Sequence, residues 1–455
     1  MSHPSDTSRR RVLVMGAGGR DFHNFNVLFR HRNDIEVVAF TATQIPFQEN
    51  RLYPPSLAGR YYPDGIPVLG EQQLGQLIHR LHVEEVVFSY SDVSHQRIME
   101  IASTAVALGA DFRLVSSERT MLQASLPVIS VGAVRTGCGK SPVTRFLCRL
   151  LLEEGRRPVV VRHPMAYGRL GIRGVERFTS LEDLDRYECT LEEREEFDPL
   201  IRLGVPLFAG VDYGEILPLA EQEGDLLIWD GGNNDVPFFR PDLELVLADP
   251  LRPGDERTYF PGLVNLVRAD AVIISKVDQA EEKALETVEE NIRSFNPEAG
   301  ILYGKLEVHI ADREVLRGKR VVVIEDGPTL THGDMSYGAG IIAARENGVA
   351  EIVDPRPYAV GSLQKLYRNY PHLARVIPAM GYSDEQREDL RRTLERVECD
   401  LILSATPVDL APLLKLSKPL VQVTYEFREV PPGSLQTRVR RFLSNQLNSG
   451  FSSLE

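Results

Sequence analysis

Short apolar runs rich in Val, Ile and Leu recur along the chain, each ending in small or polar residues and most followed by a helical pattern. Continuous runs of this kind mark strands buried on both faces, as in a parallel sheet flanked by helices. In the first quarter they fall at Val12–Met15, Glu36–Phe40, Val86–Tyr90 and Phe112–Val115. The first is followed by the glycine-rich Gly16-Ala-Gly18-Gly19, a helical pattern precedes Val86, and another spans Gln96–Leu108. This is a Rossmann-like βαβ layout. A second series runs through Val128–Val134, Pro158–Val161, Leu226–Trp229, Leu243–Leu247, Ala271–Ile274, Val321–Ile324, Leu401–Leu403 and Leu420–Val423, with helices predicted at Pro142–Glu154, Ala280–Phe295 and Asp384–Val397.

The pattern predicts an α/β protein: a Rossmann-like domain over residues 1–126, a larger P-loop NTPase domain with a mostly parallel sheet over 127–430, and a C-terminal helix with a Ser/Asn-rich tail over 431–455. Length alone, 455 residues at roughly 150 per domain, would allow three domains. Apolar residues at 43% and charged residues at 26% exclude a disordered chain. The net charge of −13 predicts no general pull toward nucleic acid or an anionic membrane, so a phosphate ligand must be met by a local pocket. The longest uncharged stretch, Thr120 to Val134, is 15 residues and too short to span a bilayer, and the first ten residues lack the apolar region of a signal peptide. The four cysteines, Cys138, Cys148, Cys189 and Cys399, have neither zinc-site spacing nor disulfide density. The expectation is a soluble, cytoplasmic protein.

The strongest local signal is Val134-Arg-Thr-Gly-Cys-Gly-Lys-Ser141, between an apolar run and a helix. In this P-loop spacing the N–H groups of Thr136, Gly137, Cys138 and Gly139 curl around phosphates, Lys140 reaches their oxygens, and Ser141 ligates Mg²⁺. Val134 stands where the first glycine is usual, and an ordinary strand-to-helix turn is the bland alternative. Asp230, closing the run Leu-Leu-Ile-Trp-Asp, takes the place of a Walker-B aspartate serving the metal, or else merely caps a strand. Ser275-Lys276-Val-Asp278 resembles the base-recognition element of GTPases, with Asp278 accepting from guanine and the Lys276 stem covering the base; the alternative is a helix N-cap. Arg135 lies five residues before Lys140, an offset resembling the extra lysine of deviant Walker loops, which reaches across a homodimer; the alternative is a surface arginine.

For an anionic acceptor, Arg162 and His163 stand at a strand end, with Arg169, Arg173 and Arg177 following in a Gly-rich stretch that reads equally as a solvated loop. Asn234 and Asp235 extend the Asp230 turn, and Thr331, His332 and Arg356 follow later strands. In the N-terminal region Arg20 and His23 flank the glycine turn, where an anion fits the helix N-terminus, although Asp21 weakens a dinucleotide fingerprint and a scaffold role carries equal weight.

As a set, GRDFHNFN at Gly19, AVRTGCGKS, VVVRHPMAYG at Val159, IWDGGNND at Ile228, EDGPTLTHG at Glu325 and DPRPYAVGS at Asp354 resemble the cyclic 2,3-diphosphoglycerate synthetase family, whose members are often described only as P-loop GTPases. The resemblance covers nearly the whole chain. It implies a ligase that uses ATP and Mg²⁺ to close a phosphoanhydride within 2,3-bisphosphoglycerate, a phosphorylated small-molecule acid, releasing ADP and phosphate. Lys140, Arg135, Arg162, His163 and Asp230 are the candidate catalytic residues, Thr136 to Ser141 with Lys276 and Asp278 the candidate nucleotide contacts, and Ser141 with Asp230 the candidate metal ligands. Ser275 in place of Asn leaves GTP as the alternative nucleotide. Two other functions compete: a GTPase acting as a switch or maturation factor, and a small-molecule kinase with Asp235 as base.

Overall fold

The computed structural model describes residues 9–42, 51–163, 174–331, 335–373, 375–379, 384–408 and 410–452. Two sheets organise them. The first contains six strands in the order Arg51–Tyr53, Ile66–Gly70, Ile35–Ala42, Arg10–Met15, Glu85–Phe88 and Asp111–Leu114, parallel except at the Arg51–Tyr53 edge. Its central strand shows why the apolar run is unbroken. Val12 and Val14 face one apolar cluster and Leu13 and Met15 another, so both faces are buried.

The second sheet has thirteen strands among the described residues. At its centre Pro158–Arg162, Leu226–Asp230, Val128–Ala133, Leu243–Ala248 and Ala271–Ile274 lie side by side in parallel. Gly300–Ile310 continues them in parallel, then pairs antiparallel with Leu420–Val430, which leads in parallel to Leu401–Ser404 and Arg320–Glu325. This stretch packs around two cores, one built on Ile129, Val131 and Ile273, the other on Val321, Val323 and Leu403. The C-terminal helix Ser434–Ser452 puts Leu435, Val439, Phe442 and Leu443 into the first of these. No helix among the described residues is long and apolar enough to cross a membrane.

Every apolar run singled out in the sequence coincides with a strand. Gly300–Ile310 and the far half of Leu420–Val430 carry no unbroken apolar run, because these pair on a half-exposed ribbon and alternate, as in Lys305-Leu306-Glu307-Val308-His309-Ile310. The helix Leu191–Arg202 is likewise absent from the apolar pattern, its charge-rich sequence hiding a Thr190/Glu193 capping box. The two sheets are joined by buried charge pairs: Arg20 Nε to Asp235 Oδ1 at 3.0 Å and Arg135 Nε to Asp92 Oδ1 at 2.7 Å. Removing one partner of such a pair strands a buried charge.

Candidate active site

A cavity lies between the sheets. Gly16 to Asp21 wall it on the N-terminal side, and Thr136, Gly137 and Gly139 to Pro142 face them from the phosphate loop. The loop leaves the strand Val128–Ala133, turns at Gly137 (φ 82°) and Gly139 (φ 96°), and enters the helix Lys140–Glu153. Both angles lie in the left-handed region that glycine adopts without cost. Among the described residues no hydrogen bond engages the N–H of Gly137, Cys138 or Gly139, leaving donors at a helix N-terminus directed to an anion. From behind, Ser275 Oγ donates to the Cys138 carbonyl at 2.7 Å, and Lys276 Nζ donates to the Gly137 carbonyl and pairs with Asp249, each at 2.7 Å. The Ser-Lys element thus fastens the loop. Lys276 borders the cavity, whereas Asp278 is exposed and lies outside its lining.

Lys140 Nζ donates to the Asn233 carbonyl, and burial lowers its pKa against the pull of Cys138, Asp230 and Glu196. Arg162 pairs with Asp230 and, at 2.8 Å, with Glu196; Ser141 Oγ donates to the same Glu196 oxygen at 2.6 Å. Asp230 is buried behind this group, and burial raises its carboxyl despite Arg162. His163 Nε2 lies 3.0 Å from Asp235 Oδ2, while Arg20 holds the other oxygen. Burial pushes the Asp235 carboxyl up, but Arg20 and His163 outweigh it and leave it below its ordinary range. The imidazole is sandwiched between Gly19 and Gly232, where any Cβ would collide with it.

Several expectations are corrected. Asp21 occupies the N-terminal anion site itself: its Oδ1 accepts from the N–H groups of Gly18, Gly19 and Phe22 at 2.9, 3.1 and 2.7 Å. His23 is buried outside the cavity lining, stacked on Phe238 at 4.0 Å and bonded through Nε2 to the Thr120 carbonyl. Asn234 is also buried, donating to the Val134 carbonyl and accepting from Asp92 N–H, so it braces the loop. Arg135 is held within its own chain by Asp92, by Asp255 at 2.6 Å and by the Tyr259 ring at 3.5 Å. Cys138 and Asp230 support the cavity without lining it. Thr331 bonds to Gly327 and Arg356 pairs with Asp354, both outside the lining, and Arg177 pairs with Glu223. Arg169, Arg173 and His332 lie outside the described residues.

The sequence reading also missed an acidic wall formed by Glu195, Glu196, Glu325 and Asp326. Burial and the neighbouring Asp326, Glu192 and Glu196 carboxylates hold Glu195 well above its ordinary range. Glu325 accepts from the N–H groups of Gly338, Gly340 and Ile341, yet burial still pushes it up to about 7. In sequence the first pair is hidden in Leu-Glu-Glu-Arg-Glu-Glu-Phe, a pattern that reads as a solvated helix face.

No family model matches the chain. Arginine synthetase ArcE of Thermococcus kodakarensis is 50% identical over 441 residues, covering 97% of this chain and 98% of the relative. The chain belongs to the arginine synthetase ArcE family. Cyclic 2,3-diphosphoglycerate synthetase of Rubrobacter xylanophilus is 24% identical over 62% of this chain and 72% of its own length, and tetraacyldisaccharide 4'-kinase of Dechloromonas aromatica is 30% identical over 39% and 52%. The ArcE family is thus related to the cyclic 2,3-diphosphoglycerate synthetases without coinciding with them, which narrows the resemblance drawn from the motifs. The broader expectation of a P-loop ligase or phosphotransferase stands.

Proposed function

We propose that the protein is an ATP-dependent synthetase whose product is arginine. The observation that carries this is the full-length relation to arginine synthetase ArcE, taken with an open phosphate loop that faces an acidic wall in one cavity. A synthetase couples bond formation to cleavage of a nucleotide phosphoanhydride, and the protein's part in that chemistry is positioning and charge. The free N–H groups of Gly137 to Gly139 receive the phosphates, and Lys140 and Arg162 supply the positive field as the γ-phosphoryl group moves. His163, oriented by Asp235, places its Nδ1 between the two glycine walls to hold or accept a proton.

Ser141, in the first turn of the helix and on the cavity wall, fits a magnesium ion, whereas Asp230 is held by Arg162 behind that wall and does not line the cavity. Magnesium on a P-loop takes few protein ligands beside the nucleotide phosphates. When bound, the ion neutralises developing charge on the phosphates. Closure of a phosphoanhydride in 2,3-bisphosphoglycerate is the less well supported reading. A polyanionic acceptor would meet Glu195, Glu196, Glu325 and Asp326, whereas a cationic product is attracted by them.

A catalyst that makes arginine by forming a C–N bond at the expense of ATP, releasing ADP and phosphate, also runs in reverse: the C–N bond of arginine breaks, the amine and the carbonyl-bearing acceptor leave, and ADP and phosphate return to ATP. Purified protein with arginine, ADP, phosphate and Mg²⁺ is expected to form ATP, and protein with ATP and 2,3-bisphosphoglycerate is expected to give no new anhydride resonance in phosphorus NMR. The reverse pair of results would overturn the assignment.

A further inference from the structure

The acidic wall holds one group that the phosphate chemistry leaves unused. Glu195 lies in the helix Leu191–Arg202, is 3% exposed and lines the cavity. Its Oε1 accepts from the Thr406 hydroxyl, which fixes the carboxyl, while its Oε2 is buried with no hydrogen-bond partner among the described residues. A buried carboxylate oxygen without a donor is costly, and a water, an ion or a ligand ordinarily completes it; in Glu195 it belongs to a residue of the cavity wall, where a ligand can reach it. The cations bordering the cavity nearby are engaged elsewhere: Lys140 on Asn233, Arg145 on the Tyr425 carbonyl, and Arg162 on Asp230 and Glu196. Glu196, next in sequence, bonds to Ser141 at the start of the phosphate-loop helix, and both glutamates line the same cavity as that loop. Leu251, Val308, Met335 and Ile342 line the same cavity and offer an apolar wall to an alkyl stem.

We infer that Glu195, supported by Asp326, receives the guanidinium of arginine beside the γ-phosphate position. A planar fork of N–H donors matches a carboxylate in geometry and charge, and its methylene chain suits the apolar wall. This rests on the arginine synthetase reading. The site and the reading are nevertheless separable, because a guanidinium too small to be a substrate tests the site alone.

Calorimetric titration of the full chain with arginine is expected to give binding that weakens at least about thirtyfold in Glu195→Gln, with ATP affinity within twofold of wild type. Thr406→Val, which frees the carboxyl without removing it, is expected to lie between. Methylguanidine is expected to raise the melting temperature of the wild type and not of Glu195→Gln. If wild type and Glu195→Gln bind arginine within threefold of one another, the site is wrong while the synthetase reading survives. If methylguanidine acts through Glu195 but arginine neither binds nor yields ATP, the site stands and the reading falls. Should Glu195→Gln lose ATP binding with its fold, Thr406→Val decides, and equal arginine affinity there overturns the site.

Discussion

Two glycine turns, each between a strand and a helix, face one another across the cavity, yet only one of them is free to hold a ligand. At Gly16–Gly19 the chain supplies its own anion, since the Asp21 carboxylate takes the N–H groups of Gly18, Gly19 and Phe22. At Gly137–Gly139 the corresponding donors have no partner among the described residues, and the helix position that Asp21 takes in the first turn is filled by the neutral Ser141 instead of an acid. Glu325 repeats the first solution at the far end of the cavity, filling the turn at Gly338 to Ile341. Glycine spacing makes a backbone cradle, but the charge of the residue beside it decides whether the cradle is a wall or a site.

The largest way to break this contrast is at the open loop. Lys140→Ala is expected to lower turnover by about a thousandfold, roughly 4 kcal/mol of transition-state stabilisation, with secondary structure by circular dichroism unchanged. A variant within tenfold of wild type would show that the open loop is not where phosphoryl chemistry occurs.

Next comes Glu325, whose carboxyl lies at about 7 in the folded protein against an ordinary 4.5. Between those values the folded state binds the extra proton, so this group makes stability fall as pH rises and confers its full benefit only below about 4.5. Glu325→Gln has no such titration. From pH 4.5 to 7 its unfolding free energy relative to wild type is expected to shift in the variant's favour by at most about 3 kcal/mol, read by urea denaturation. A pH-independent difference would mean that the Glu325 cradle holds an ionised carboxylate throughout.

A smaller effect, about 1–3 kcal/mol, is expected for Asp21→Ala, which leaves the Gly18, Gly19 and Phe22 N–H groups without their acceptor. Urea unfolding measures it, and ATP affinity should stay within threefold of wild type. If ATP binding is lost as well, the N-terminal turn is part of the nucleotide site and the two turns are not opposites.

The sequence made the parallel strands and the phosphate loop legible because both signals are local: unbroken apolar runs for strands buried on both faces, and Gly-Cys-Gly-Lys-Ser after one of them. Arg162 and His163 were legible as strand-end residues of the same edge. What was hidden depends on distant partners. Nothing beside Arg20 announces that Asp235, far along the chain, will neutralise it, and nothing near Arg135 announces Asp92 and Asp255. The acidic wall was hidden for the opposite reason, since Glu195 and Glu196 sit in a helix whose composition suits solvent, and only the packing of Leu191, Phe197 and Leu200 turns them inward.

The smallest expected effect concerns the base end of the open loop. Ser275 and Lys276 bond to the backbone of Cys138 and Gly137, so this element acts by holding the phosphate cradle, while Asp278 is exposed and off the cavity. Asp278→Asn is therefore expected to change the ratio of ATP to GTP affinity by less than twofold, as read by competition against a fluorescent nucleotide. In a site that reads guanine through this carboxylate, the same substitution would remove a charge-assisted pair worth about 1.5–3 kcal/mol, a change of tenfold or more. A tenfold shift would restore the GTPase-like role of the motif and make the open loop selective for the base as well as for its phosphates.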